Sequence, residues 1–357
     1  MQGFPSDIKN RFTFPAAFPK GSGDFWLFTS LSSNSVVIGI NMKKTGFLYD
    51  DRYLLHDTGP YHPEAPDRLS VIYAGLERSG LLSKLVRLEG SKAEMKWIES
   101  VHDKAYIERF HSVCQSGKSS FECEDNQLCY QTYDIARLAV GGILDASKRV
   151  MEGSLDNVFC AVRPPGHHAE INQAMGFCYF NNIAIAARYI QREWGIKRVG
   201  IMDFDVHHGN GTQNIFETDP SVFYYSIHEH PSFAFPGTGR AFEKGSAEGT
   251  GFTRNYPILP GQGDDEYRSV IDNDFIPLFD QFGPEVLLIS AGFDAHADDE
   301  MSGINLSSEG FTYIMERLVE TANKHAGGRI ISILEGGYSL KRLPELVNNH
   351  IEILLKG

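Results

Sequence analysis

The sequence predicts an α/β protein in which a central, mostly parallel sheet of about eight strands is flanked by helices. Three observations support this fold class. Short β-rich runs recur along the chain, glycines follow them, and segments with helical periodicity come next. This alternation is typical of parallel sheets, whose ligands bind beyond the carboxyl ends of the strands.

The predicted elements begin near Met42. A first strand is predicted within residues 43–49, and β-rich runs predict further strands at 158–162, 198–202, 286–291 and 329–334. Helical periodicity indicates helices at about 67–79, 103–116, 130–152, 180–194, 264–281, 307–325 and 340–355. The long glycine-containing segment 232–255 exceeds what a connection needs, so we expect it to shape the mouth of a pocket.

Residues 1–41 differ from the rest of the chain because their aromatic side chains lie among Pro, Ser and Gly without helical or strand periodicity. We interpret them as an N-terminal extension, with residues 42–357 forming one domain. An arm packed on a neighbour, a targeting segment and translated upstream sequence all remain open for this extension.

Composition narrows the class of protein. A chain of 357 residues with 42% hydrophobic content can bury a large core. A net charge of −13 argues against direct binding to nucleic acid or to an anionic membrane. The five cysteines are an odd number without zinc-finger spacing, which favours a reducing compartment and hence the cytoplasm. The apolar stretch 25–40 is interrupted by serines and is too polar to span a membrane.

Reactive side chains cluster where the predicted strands end. Strand alternation points Asp203, Asp205 and His207 to one side, and two carboxylates with an imidazole suit a divalent metal. Three further strands are followed by similar clusters, in the segments Arg163-Pro-Pro-Gly-His-His168, Gly292-Phe-Asp294 and Glu335-Gly-Gly-Tyr338. Four strand ends with such residues predict a functional site at one edge of the sheet.

In these motifs the chain resembles the zinc-dependent histone deacetylase superfamily, which includes acetylpolyamine amidohydrolases and acetoin-utilisation-type proteins. The resemblance extends from about Gly46 to the C-terminus. Family-ordered motifs carry it: residues 163–168, 176–182, 203–211, 235–239, 290–294 and 335–338. It implies a three-layer arginase/deacetylase-like fold, with 42–357 as a deacetylase-like catalytic domain. It also implies removal of an acetyl or another acyl group from an acylated amine such as acetyl-lysine.

The resemblance assigns roles to single residues. It makes Asp205, His207 and Asp294 the ligands of Zn²⁺, or of Fe²⁺ in the cell, with positions left open for water and substrate. It places three groups around the scissile amide: His167, His168 and Tyr338.

Relatives pair the two histidines with the equivalents of Asp203 and Asn210. We therefore expect His167 to be charged and His168 to be the general base and acid. Asn210 stands where class I members have Asp, which favours the class II branch.

The substrate contacts are also implied by resemblance. Phe177, beside Gly176, and Phe235 correspond to the aromatic walls of an acyl-lysine tunnel. Arg68 matches an arginine that lines an acetate exit region, and Asp125 falls where class II members carry a rim aspartate. The neighbours of Asp125, Asn126-Gln127, depart from the family pattern.

Relatives bind structural K⁺ ions largely through backbone oxygens. The matching positions for one ion are Asp203, Asp205, His207, Ser226 and Ile227. Those for a second ion are Phe216, Asp219 and Val222.

Two other functions compete with deacetylation. The segment Asp294-Ala-His-Ala-Asp298 matches a binuclear-manganese ureohydrolase, but no further histidine motif completes a two-metal site. A deacetylase-like reader without catalysis would lack a ligand or the tyrosine, and both are present.

The substrate itself stays open among protein acetyl-lysine, acetylpolyamine, longer acyl-lysine and a small metabolite amide. Met301 stands seven residues after Asp294, where polyamine-selective enzymes carry an acidic gate, and a shift of the loop would bring Asp298, Asp299 or Glu300 to the mouth. A homo-oligomer also remains open.

Overall fold

The computed structural model describes residues 42–357, and the predicted N-terminal extension lies outside the described residues. The strands are β1 Thr45–Leu48, β2 Val86–Leu88, β3 Ser120–Phe121, β4 Cys123–Gln127, β5 Asn157–Cys160, β6 Val199–Asp203, β7 Val222–Glu229, β8 Thr253–Ile258, β9 Val286–Ala291 and β10 Ile330–Leu334. The α-helices are α1 Asp67–Arg78, α2 Met95–Ile98, α3 Lys104–Gln115, α4 Thr132–Met151, α5 Asn182–Trp194, α6 Asn210–Phe216, α7 Asp264–Val270, α8 Ile276–Phe282, α9 Ser308–His325 and α10 Leu343–Lys356.

Eight of these strands form one sheet in the order β2-β1-β5-β10-β9-β6-β7-β8, and every neighbouring pair is parallel. β3 and β4 form a separate antiparallel pair. The inner strands are buried along their whole length, as parallel strands covered on both faces should be. The predicted fold class is therefore confirmed.

The helices pack in two groups against this sheet. One group contains α1, α7, α8, α9 and α10, and the other contains α2 to α5. Local signals set several helix ends: the Asn181 side chain accepts from the backbone N–H of Ala184 at the start of α5, and Gly195 ends that helix in the left-handed conformation. Among the described residues, no helix combines the length and the apolar character needed to cross a membrane.

Two kinds of element differ from the sequence prediction. The predicted helix 264–281 is interrupted by a π-helical turn, Ile271–Phe275, between α7 and α8. The prediction also missed β2, α2, the β3–β4 pair, α6, β7 and β8. All eight residues of β7 are buried, so this strand lacks the apolar–polar alternation that marks a half-exposed strand.

Candidate active site

The reactive clusters predicted from the sequence follow four neighbouring strands of the sheet, β5, β10, β9 and β6. Their register aligns the carboxyl ends, because Asp203 pairs with Ser290 across β6 and β9, and Leu334 pairs with Ala291 across β10 and β9. Segments far apart in the sequence therefore meet at one edge of the sheet, beyond the ends of these strands.

Asp205, His207 and Asp294 form a compact, buried cluster. Their candidate ligand atoms lie within 4.8 Å of one another. Nδ1 of His207 lies 3.2 Å from Oδ1 of Asp205 and 3.2 Å from Oδ2 of Asp294. Two buried carboxylates beside one imidazole nitrogen are a donor set suited to a divalent transition metal, so the residues fit the metal that the resemblance implies.

The backbone around this cluster holds the carboxylates in place. The N–H of Gly336 donates to Oδ2 of Asp205 at 2.7 Å, and the N–H of Val206 donates to Oδ1 of Asp294 at 2.9 Å. Gly292 and Gly336 lie against the carboxylates so closely that a Cβ on either residue would overlap them. The two positions require glycine because the ligand side chains fill the space that a larger side chain would take.

The tandem histidines contact different partners. Nδ1 of His167 lies 3.0 Å from Oδ2 of Asp203, and Nδ1 of His168 lies 2.8 Å from Oδ1 of Asn210. The structure thus contains both pairs expected from the sequence. Because its Nδ1 is engaged by the amide oxygen, His168 keeps Nε2 available for chemistry.

The two environments drive the histidines to opposite protonation states. Burial disfavours charge on His167, but the carboxylates of Asp203 and Asp205 outweigh it and raise the pKa to about 10. Burial lowers the pKa of His168 well below its ordinary value, and the positive charge on His167 lowers it further. His167 is therefore positively charged near neutral pH, and His168 is neutral.

Tyr338 lies on a turn whose backbone is hydrogen-bonded by two buried side chains, those of Arg68 and Asp299. Arg68 donates from Nε to the carbonyl of Gly337 at 2.7 Å and from Nη2 to that of Glu335 at 2.5 Å. Oδ2 of Asp299 accepts from the backbone N–H groups of Tyr338 at 2.6 Å and Ser339 at 2.9 Å. The position of the phenol is therefore set by contacts to its backbone on both sides.

A cavity of about 140 Å³ leads to His207 of the ligand cluster and to Tyr338. Among the described residues its lining consists of Asp125, His168, Gly176, Phe177, His207, Phe235, Met301 and Tyr338. The predicted tunnel and rim residues thus lie together, and Phe235 places the long segment 232–255 at the mouth, as expected.

Arg68 differs, because it is fully buried behind the tyrosine turn and is not part of the cavity wall. Its predicted place along an acetate exit path stays a prediction.

Local backbone contacts shape the cavity wall. Gly176 and Phe177 both have positive φ, at 52° and 68°, and a Cβ at Gly176 would overlap the ring of His168. The backbone N–H of Phe177 donates to Oδ1 of the buried Asn126 at 2.9 Å. Asn126, noted in the sequence only as a departure from the family pattern, thus holds the aromatic wall in place.

The acidic residues before Met301 do not form a group at the mouth. Asp298 bonds to Arg342, and Asp299 is buried beneath the tyrosine turn. Of the three, Glu300 is exposed without such a contact. The loop therefore supplies at most one free carboxylate near Met301.

His296, which completes the ureohydrolase-like segment, lies away from the candidate metal ligands. Its Nε2 is near the hydroxyl of Ser308, its Nδ1 accepts from the backbone N–H of Asp298, and its ring stacks on Phe311. Among residues 42–357 the ligand cluster contains no fourth side chain of this kind. These contacts do not fit a two-metal ureohydrolase site.

The positions predicted to bind potassium are brought together in two places. Ser226 on β7 pairs with Asp203 on β6, beside the candidate metal ligands. At the second place, Asp219 bonds to Arg188, whose guanidinium lies 4.6 Å from the centre of the Phe216 ring. Potassium binding at both stays a prediction.

Comparison with known proteins agrees with the geometry. The family model described as "Histone deacetylase domain" matches residues 62–354. The chain is 38% identical to a probable deacetylase of Archaeoglobus fulgidus over 83% of this chain and 82% of that protein. It is 34% identical to a histone deacetylase-like amidohydrolase of Pseudomonas aeruginosa, over 85% and 83%.

It is also 37% identical to histone deacetylase 5 of Arabidopsis thaliana, of which it spans 50%. The crystal structure of the HDA15 HD domain superposes with a TM-score of 0.83 at 36% identity, covering 88% of each chain. The chain belongs to the histone deacetylase family.

Membership in the histone deacetylase family makes the chain a deacetylase-type hydrolase acting on acylated substrates. Within this site, the sequence did not predict the positioning contacts of three carboxylates, although Asp299 was named as a candidate for the mouth and Glu335 as part of a motif. Asp299 holds the tyrosine turn, and Glu170 accepts from Nδ2 of Asn210 at 2.8 Å. Glu335 accepts from the backbone N–H of Gly166 at 2.7 Å and of His167 at 3.1 Å. Only Glu335 stands inside a recognised motif, so it alone had a signal in the sequence.

Proposed function

We propose that this protein hydrolyses the amide of an N-acylated amine, with acyl-lysine as the substrate class. The single observation that supports this most strongly is that His168, Tyr338 and His207 of the ligand cluster meet in the lining of one narrow cavity. His167 lies next to His168 and is paired with Asp203. The family comparison supports the reaction class, and the arrangement supplies the groups that amide hydrolysis requires.

Asp205, His207 and Asp294 would hold the metal, which we propose to be Zn²⁺ as isolated or Fe²⁺ in the cell. Bound there, a divalent ion supplies Lewis acidity to the water and to the amide carbonyl. Three protein ligands leave coordination positions for water and substrate, as in catalytic rather than structural sites.

His168 would move the proton. Its neutral imidazole accepts a proton from the attacking water at Nε2 while the new acyl C–O bond forms. It then returns that proton to the amine nitrogen as the C–N bond breaks. The low pKa of His168 keeps Nε2 unprotonated near neutral pH, which this role requires.

His167 and Tyr338 would stabilise the negative charge that develops on the substrate. His167 remains protonated beside Asp203, so it contributes a fixed positive charge. Desolvation raises the pKa of Tyr338 well above its ordinary value, so the phenol keeps its proton and can donate it to the oxyanion in a hydrogen bond.

The cavity favours a slender, extended substrate. Phe177 and Phe235 would flank the methylene chain, Met301 would contact it near the mouth, and Asp125 at the rim would bind the substrate backbone. We propose the cytoplasm as the compartment and structural K⁺ at the two sets of backbone positions described above.

A substrate panel tests this proposal. Purified protein loaded with Zn²⁺ should hydrolyse acetyl-lysine peptides, and kcat/KM should be compared with that for longer acyl-lysine peptides, acetylputrescine and acetylspermidine. Higher kcat/KM for the acetylated amines would move the substrate class to acetylpolyamines. Absence of hydrolysis across the whole panel would contradict the proposed function.

A further inference from the structure

Asn210 lies between His168 and a carboxylate that the reaction scheme leaves unused. Its Oδ1 is 2.8 Å from Nδ1 of His168, and its Nδ2 donates to Oε1 of Glu170 at 2.8 Å. The three side chains form a continuous hydrogen-bonded chain that ends at the imidazole of the proposed general base.

The surroundings of Asn210 permit only one orientation of its amide. Besides Glu170, its Nδ2 is close to the carbonyl of His168 and to the thioether sulfur of Met175, both at 3.4 Å. All three groups accept hydrogen bonds. Rotating the amide by 180° would set its oxygen against these acceptors and lose the bond to Glu170.

This orientation decides which nitrogen of His168 carries the proton. An amide oxygen can only accept, so Nδ1 of His168 must be the N–H nitrogen and Nε2 must hold the lone pair. We propose that Glu170 is a positioning residue that fixes the tautomer of His168 by orienting Asn210. The inference rests on the proposed function, because the tautomer matters only if His168 moves the proton.

The fold holds Glu170 firmly enough for this task. The carbonyl of Glu170 accepts from Nδ1 of the buried His102 at 2.9 Å, and Nε2 of His102 accepts from the N–H of Asn181 at 2.8 Å. The carbonyl of Ile171 accepts from the N–H of Asp103 at 2.9 Å. The backbone that carries Glu170 is therefore anchored at residue 170 itself and at the residue that follows it.

Glu170 also accounts for the amide at position 210. A carboxylate there would lack the N–H donor and would place two carboxylates 2.8 Å apart. Asn210 can accept from His168 and donate to Glu170 at the same time, so the two residues function as a matched pair. A donor at position 170 should instead match a carboxylate at position 210.

The test compares Glu170→Lys, Asn210→Asp and the double variant Glu170→Lys/Asn210→Asp with the parent, all loaded with Zn²⁺. Glu170→Lys replaces an acceptor by a donor and favours the rotated amide, so kcat should fall about tenfold or more. The upper limit of this loss is the roughly 10²–10⁴ that a general base contributes. KM should change little. The double variant should recover most of the lost kcat.

Glu122→Gln is the matched control. Glu122 accepts from the backbone N–H of Ala174 at 2.6 Å and so supports the same loop without reaching Asn210. Its kcat should stay near that of the parent. The ¹⁵N spectrum of the histidines provides a second readout: His168 should be protonated at Nδ1 in the parent, and Glu170→Lys should lose that signal. Glu170→Ala replaces Glu170→Lys if the lysine variant does not fold.

Equal losses in Glu170→Lys and Glu122→Gln, or a double variant no faster than Glu170→Lys, would overturn the inference. So would an unchanged His168 spectrum. Failure of the proposed function looks different: the parent would hydrolyse none of the acylated amines, or His168→Ala would keep the parent kcat.

Discussion

At the scale of single residues, the site depends on keeping adjacent groups in different charge states. The rings of His167 and His168 are 4.0 Å apart, yet carboxylates raise the pKa of His167 to about 10 while burial lowers that of His168. A charged group for stabilisation and a neutral group for proton transfer are thereby available at the same pH.

Tyr338→Phe should reduce turnover much more than substrate affinity. The hydroxyl would meet an oxyanion that is absent from the planar amide, and loss of one such donor typically costs about 10²–10³ in kcat. The Kd of an active-site inhibitor, measured by calorimetry, should stay near the parent value. A variant with near-normal kcat would remove Tyr338 from the mechanism.

The tandem histidines should respond unequally to substitution. His168→Ala should lose nearly all activity, since base and acid catalysis together contribute on the order of 10²–10⁴. His167→Ala should retain more. A His167→Ala enzyme more damaged than His168→Ala would show that the two roles are reversed.

The pH profile tests the partner of His168. Asn210→Asp places a carboxylate beside Nδ1 and should raise the pKa of His168. The base must be neutral to act, so a higher pKa keeps it protonated to higher pH, and the acidic limb of kcat/KM should move to higher pH. An unmoved limb at matched metal content would contradict the assignment of this partner.

Residues inside contiguous motifs were predictable from the sequence, whereas the distant side chains that position them, such as Asp299 and Glu170, were not. Asp205, His207 and the tandem histidines follow β-rich runs, so their pattern indicated a shared edge. Asp299 and Glu170 act on groups 39 and 40 residues away. Nothing in local periodicity reveals such contacts, because they form only when the loops of the folded protein meet.

At the scale of elements, the loop that follows β9 connects the cluster of candidate metal ligands, the cavity and the tyrosine turn. It contains Asp294, contributes Met301 to the cavity and supports Tyr338 through Asp299. The sequence placed three carboxylates near the mouth without distinguishing their roles. The structure separates them by burial and by partner.

Asp299→Ala should lower kcat with little change in KM. Asp299 accepts from the backbone N–H groups of Tyr338 and Ser339 and, through its other oxygen, from that of Met301. Removing this acceptor frees the tyrosine turn, and a misplacement of about 1 Å can cost roughly 10² in rate. Asp298→Ala is the matched control, because Asp298 pairs with Arg342 at the surface and exposed pairs contribute little. Similar kcat values for the two variants would contradict the positioning role of Asp299.

At the scale of the whole molecule, the order of the strands in the sheet explains why four sequence motifs meet at one site. The strands that carry them are neighbours in the sheet, although other elements separate them along the chain. The alternation of β-rich runs and helical segments predicted the architecture, but the order of the strands depends on how the crossover helices pack. The strand β7 was missed because its buried residues include Ser226, His228 and Glu229, so it forms neither an apolar run nor a regular alternation.

Deacetylation should require a divalent metal held by Asp205, His207 and Asp294. The most direct measurement is metal content by mass spectrometry, together with hydrolysis of an acetyl-lysine peptide, for the parent and Asp294→Ala. The parent should contain one divalent ion per chain, lose activity on chelation and regain it with Zn²⁺, while Asp294→Ala should lack both metal and activity. Full metal occupancy in Asp294→Ala, or undiminished hydrolysis by the metal-free parent, would show that these residues do not hold a catalytic metal.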